Sequence, residues 1–160
     1  MFREISGLPG HVLVIHAVVV LVPLLALASV AYGVLPRWRS RLDWAVAGLA
    51  VVTPIATFVA KESGEAFEEA LRQRGLGGEL LRKIEEHSEY GSTLLWFTIG
   101  LAVAALLLLL VTSGLARVRA LPRWLAPVLT GVVIVLAAFA LVYVYQTGDT
   151  GAQAVWSGTL

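Results

Sequence analysis

Residues 92–116 read STLLWFTIGLAVAALLLLLVTSGLA, a stretch without a single charged side chain. An unbroken run of leucines, from Leu106 to Leu110, lies within it. A helix needs roughly 20 apolar residues to cross the hydrocarbon core of a bilayer. This stretch therefore predicts a transmembrane helix, which indicates an integral membrane protein.

Three further stretches, 12–35, 44–60 and 124–146, also lack Asp, Glu, Lys and Arg. The sequence therefore predicts an all-α membrane protein, a four-transmembrane-helix antiparallel bundle that forms one domain over residues 1–160. The helices are expected at about 11–35, 43–74, 79–116 and 123–146.

The composition agrees with this class and excludes several others. Hydrophobic residues make up 58% of the 160 residues, charged residues only 14%, and the mean hydropathy is +0.82. Soluble domains are typically ~45–50% apolar and ~25% charged. The net charge of +1 gives no basic field for nucleic acid, so the expected partner is the lipid bilayer. The absence of cysteine excludes disulfides and thiolate ligands.

Basic residues in the short loops predict the orientation. Arginines gather in the loops after the first and third helices, whereas segment 61–91 is net acidic. By the positive-inside rule, those loops are expected to be cytoplasmic, and both termini are expected to lie on the extracytoplasmic side of the membrane. Segment 61–91 is expected to form an extracytoplasmic helical hairpin between helices 2 and 3, broken at Gly75, Gly77 and Gly78.

The three histidines and most carboxylates fall on the extracytoplasmic half, which is where a site is expected. His16 is the most informative residue, because an ionisable group inside a span is a functional hypothesis by default. The predicted metal ligands are His16, His87, Glu65 and Glu62. Supporting or alternative ligands are His11, Asp149, Glu86 and Lys61.

Imidazole with carboxylate suits zinc, iron, manganese and copper alike. A b-type haem is an alternative, but its two axial ligands must lie at nearly equal depth. The sequence places His16 about 6 Å below the membrane boundary and His87 about 7 Å above it, so a bare metal ion is preferred.

Each of these residues also has an ordinary structural interpretation. Lys61 can pair with Glu65 one turn further along the helix, Asp149 can be a turn residue, and a buried His16 can bond to a neighbouring helix. On this interpretation the protein is a non-catalytic accessory subunit of a membrane complex, and its hairpin contacts the partner. A redox partner and a homo-oligomer are both compatible with the sequence.

Short motifs along nearly the whole chain carry a resemblance to a known family. They are His11-Val-Leu-Val-Ile-His16, Ser63-Gly64-Glu65, Glu86-His87, and Gly148-Asp149-Thr150-Gly151-Ala152 with Ala154-Val155-Trp156. The chain resembles an uncharacterised bacterial family of four-helix predicted membrane proteins, a domain of unknown function whose first helix opens His-Pro-x-x-Val-His-Phe-Pro. The histidine spacing matches, the prolines and phenylalanine do not, and Asp149 stands where the family has histidine. The resemblance implies a bacterial inner (plasma) membrane. Some relatives are joined to Rieske-type redox domains, so the resemblance also implies that the metal site serves a redox or electron-transfer module.

Overall fold

A computed structural model describes residues 10–75, 77–113 and 121–156, with side chains described for 14–75, 77–113 and 121–153. These residues form four α-helices and no strand. The helices are α1 (Gly10–Val34), α2 (Arg39–Gln73), α3 (Glu79–Thr112) and α4 (Leu125–Trp156). A short 3-10 turn, Pro36–Trp38, connects α1 to α2.

All four helices are long and apolar enough to cross a membrane, which confirms the predicted class of fold. Each helix packs against its neighbours in chain order, and α4 closes the ring against α1. The core is apolar, and Val22, Leu25, Leu101 and Val133 are fully buried in it. Large apolar side chains also cover the outside of the bundle, where lipid takes the place of water.

Two polar side chains of α2 follow the core side of that helix. Thr53 and Thr57 are buried one turn apart, and the Thr57 hydroxyl donates to the Thr53 carbonyl at 2.9 Å. This places the polar stripe of α2 in the bundle interior, as its four-residue spacing predicts. Pro54 lies beside this stripe, inside the helix.

Helices α1 and α4 approach each other closely at Gly33. A Cβ built on Gly33 would lie 2.7 Å from Thr130 Cγ2, so a larger residue there would require Thr130 to shift. By contrast, a Cβ on Gly100 would meet Leu136 at an ordinary 3.6 Å, and Gly48 has open space around it.

Three helices extend well beyond the bilayer at one end of the bundle. The 35 residues of α2 measure about 52 Å at ~1.5 Å per residue, against a hydrocarbon core of about 30 Å. We call this the projecting end, formed by residues 61–73, 79–91 and 147–156. The opposite end, with the connections after α1 and α3, is the loop end.

Two helix bounds differ from those expected. Helix α2 begins at Arg39 rather than near 43, and α4 continues to Trp156 rather than ending near 146. The expected end near 146 is the end of the uncharged stretch, and the helix continues past it through Gly148 and Gly151, although glycine in a helix costs about 1 kcal/mol relative to alanine. The hairpin turn lies where its glycines predict, and Gly75 and Gly78 adopt φ of +81° and +72° there.

Candidate functional site

His87 lies half-buried where α3 packs against α4. Its Nδ1 is 3.2 Å from the Thr150 hydroxyl, which also lies 2.9 Å from the Gln146 carbonyl oxygen. The ring also forms a hydrogen bond with the backbone of Thr147. A Cβ on Gly151 would come within 3.0 Å of the ring, so this glycine makes room for the imidazole. Ligation of a metal through Nδ1 would require the contact with Thr150 to break.

The other two histidines belong to α1. His16 is exposed on α1, whereas His87 is half-buried between α3 and α4. The side chain of His11 lies outside the described residues.

The predicted carboxylate ligands on α2 are engaged in ion pairs. Lys61 Nζ lies 2.6 Å from Glu65 Oε1 and 3.3 Å from Glu62 Oε1. Both glutamates are exposed, and exposed pairs of this kind contribute little to stability. The arrangement matches the alternative in which Lys61 pairs with Glu65 one turn further along the helix.

The supporting carboxylates lie on other faces of the projecting end. Glu86 is exposed on α3. Asp149 is inside helix α4 and not in a turn, and its Oδ2 accepts a hydrogen bond from Gln153 Nε2 at 2.8 Å. In the described parts of the chain, no group of three or more His, Asp or Glu side chains could hold a metal ion. The metal site therefore stays a prediction.

The sequence analysis does not predict two features of the projecting end, the ion pairs of Arg72 and the exposure of Phe67. Arg72 Nη2 contacts Glu68 at 2.8 Å and Glu85 at 2.7 Å, so one guanidinium joins α2 to α3. Phe67 is 44% exposed on α2. A lone phenylalanine in a charged helix segment is the sequence pattern that could have indicated it.

Aromatic rings support the α3–α4 contact near the projecting end. Phe97 stacks against Phe139 and Tyr143 with centroid distances of 5.0 and 5.1 Å, and Tyr90 lies 6.2 Å from Tyr143. Such pairs contribute about 0.5–1.5 kcal/mol beyond burial of their area. Tyr143, which the sequence suggested for the outer boundary of the membrane, thus packs against α3, whereas Tyr145 is 74% exposed.

Four apolar spans closed into a ring define the class of the molecule as an integral membrane protein of the helical-bundle type. The chain belongs to the family described as predicted membrane protein DUF2231, which matches residues 7–160. This confirms the resemblance to an uncharacterised membrane family. No curated protein and no solved structure matches the chain.

Proposed function

We propose that the protein is a non-catalytic accessory subunit of a membrane complex, and that its projecting end binds a partner with a basic, partly apolar surface. The observation that carries this proposal is the exposed ring of Phe67 among carboxylates beyond the membrane. The ion pairs and helix contacts made there by the predicted metal ligands also favour it over a metal centre.

Phe67 is too far along α2 to be covered by lipid. It follows Lys61, the first charged residue after the apolar span, by six positions, which is about 9 Å of helix rise. The headgroup layer extends only roughly 5–8 Å beyond the hydrocarbon core on each side. A large aromatic ring held in water on a rigid helix is a typical anchor for a protein partner.

The charge around Phe67 indicates the chemistry of that partner. Residues 61–91 contain eight glutamates against five lysines and arginines, a formal net charge of −3. Lys61 and Arg72 already pair with glutamates of this segment, whereas Glu86 and Glu89 have no ion pair with any described residue. Complementary charge would steer a basic partner to this end and set its register.

Blue-native electrophoresis of gently solubilised membranes, followed by affinity purification, tests the proposal. We expect one stoichiometric partner whose binding weakens at least tenfold in Phe67→Ser and recovers in Phe67→Leu. Phe58→Ala is the matched control, because Phe58 is 52% exposed on the membrane-spanning part of the same helix. A protein that migrates alone, or binding that is unchanged by Phe67→Ser, would contradict the proposal.

The metal-binding and redox role remains a prediction with its own test. It assigns zinc, iron, manganese or copper to His16, His87, Glu65 and Glu62, with haem b as the alternative. Elemental analysis and an optical spectrum of the purified protein decide it. Stoichiometric metal lost in His87→Gln supports the prediction, a Soret band indicates haem, and only traces of metal after supplementation contradict both.

A further inference from the structure

A cavity of about 290 Å³ opens at the loop end of the bundle, away from every residue of the predicted metal site. Its polar lining comes from Arg39, Arg123 and Thr112, and its apolar lining includes Val111, Leu121 and Ala126. The volume is close to the lower limit of about 300 Å³ for small-ligand pockets. It is large enough for a headgroup and too small for a whole lipid.

Arg39 is held in place by the end of α1. Its Nε and Nη2 donate to the carbonyls of Tyr32 and Gly33 at 3.2 and 3.3 Å, and its guanidinium carbon lies 5.6 Å from the centre of the Tyr32 ring. The Tyr32 hydroxyl in turn forms a hydrogen bond with the Thr112 hydroxyl at 2.7 Å. The contacts of Arg39 with the two carbonyls use two of the five N–H donors of its guanidinium and leave the Nη1 pair and one Nη2 N–H for a ligand.

Arg123 faces the same cavity from just before α4 and is exposed. It forms no hydrogen bond or ion pair with the residues that the structure describes. Asp43 is the only described carboxylate at this end, and its Oδ1 accepts the backbone N–H of Trp44 at 2.8 Å. The two arginines therefore lack a carboxylate partner within the described chain.

Aromatic side chains place this cavity at the level of the lipid headgroups. Trp44 and Trp124 are 76% and 61% exposed, and Trp38 is 43% exposed. All three lie within a few residues of Arg39 or Arg123. Tryptophan is enriched at the membrane–water interface, so the guanidinium groups lie at the depth of lipid phosphates.

We propose that the cavity binds a phosphate group through Arg39 and Arg123. A guanidinium fork matches phosphate oxygens with two parallel hydrogen bonds, and a basic pocket at a helix-bundle boundary is a typical place for an anionic headgroup. The position of the cavity at the headgroup level and its apolar wall favour a phospholipid over a free phosphate. This proposal does not depend on the partner proposed for the opposite end.

The test is a titration of the delipidated full-length protein in detergent, followed by native mass spectrometry. The probes are short-chain phosphatidylglycerol, short-chain phosphatidylcholine and inorganic phosphate. We expect phosphatidylglycerol to bind at least fivefold more tightly than phosphatidylcholine, and Arg123→Gln to weaken it about fivefold. Arg41→Gln, which removes an equal charge from an exposed residue outside the cavity, should weaken it less than twofold.

The probes and variants separate the possible outcomes. Binding of inorganic phosphate that competes with phosphatidylglycerol and depends on Arg123 supports the phosphate site with a free anion as its source. Equal losses in Arg123→Gln and Arg41→Gln would show diffuse attraction and overturn the site. Equal affinity for the two lipids that Arg123→Gln does not weaken, with no binding of inorganic phosphate, would also overturn it. Arg39 also supports the end of α1, so removal of its charge could disturb the fold. The second variant is therefore Arg39→Lys, which keeps the positive charge and loses the paired N–H donors of the guanidinium.

Discussion

The two ends of the bundle use charge in opposite ways. At the projecting end, Lys61 and Arg72 pair with carboxylates of their own hairpin, so much of the charge is neutralised within the chain. At the loop end, Arg39 and Arg123 line a cavity without a carboxylate partner among the described residues. At the projecting end, pairing within the chain fixes the positions of charged side chains. At the loop end, the arginines are left to attract an anion from outside the chain.

The largest expected effect concerns whether the two ends lie on opposite sides of the membrane. The chain has no cysteine, so single cysteines at Gly77 and Arg41 can each be labelled without background. We expect a membrane-impermeant maleimide on intact cells to label Gly77→Cys nearly completely and Arg41→Cys hardly at all, because basic loops stay in the cytoplasm. Permeabilised cells are the control, and the reverse pattern would invert the proposed orientation.

The second prediction breaks the packing near the loop end. Gly33→Ala forces a methyl group to within 2.7 Å of Thr130 Cγ2 and should lower the free energy of unfolding by about 1–3 kcal/mol. Thermal unfolding in detergent measures the loss. Thr130→Ser removes the clashing methyl and should restore most of the stability, and Gly48→Ala, with open space, should not destabilise the protein. A stable Gly33→Ala variant would show that α1 and α4 lie further apart.

The third prediction applies the same change to the projecting end. Gly151→Ala places a Cβ about 3.0 Å from the imidazole of His87, a contact the ring can relieve by a small shift. We therefore expect a smaller loss than at Gly33, about 1 kcal/mol, with faster amide exchange in residues 147–156. Gly148→Ala is the matched control, since its Cβ meets nothing within 4 Å. Equal amide exchange rates in the Gly151→Ala and Gly148→Ala variants would mean that the contact with His87 does not stabilise the end of α4.

The smallest effect is expected from the ion pairs of the hairpin. Arg72→Gln removes the contacts with Glu68 and Glu85. The pair of Arg72 and Glu85 is exposed and therefore screened by salt, whereas the side chain of Glu68 is only 14% exposed. We expect a slight drop in the melting temperature at low ionic strength that disappears near about 0.5 M salt. A drop that persists at high salt would mean that Arg72 acts through packing and not through charge.

The sequence predicts the fold far better than the site, for a physical reason. Apolar length alone identifies a membrane span, so the four helices are visible in the sequence without knowledge of their contacts. Helix α1 is apolar on every side, however, and its pattern does not indicate which face turns inward. The exposure of His16 therefore had to come from the structure, whereas the polar stripe of Thr53 and Thr57 identified the inner face of α2.

The helical end of α4 could not be predicted locally either. Gly148, Asp149 and Gly151 are typical of a turn, and only the His87 ring on another helix explains why a glycine at 151 is useful inside one. The tight pair of Gly33 and Thr130 is hidden for the same reason, because its two members are almost a hundred positions apart in the chain.

Pro54 gives α2 a mechanical property that its length makes important. Proline has no N–H for the carbonyl one turn earlier, that of Ala50, so the helix is least stiff at that point, inside the membrane. Helix α2 is thus a rod with a joint between a short arm at the loop end and a longer arm at the projecting end. Bending by about ten degrees at the joint would move the far end of this roughly 29 Å arm by about 5 Å, while the loop end stays nearly still.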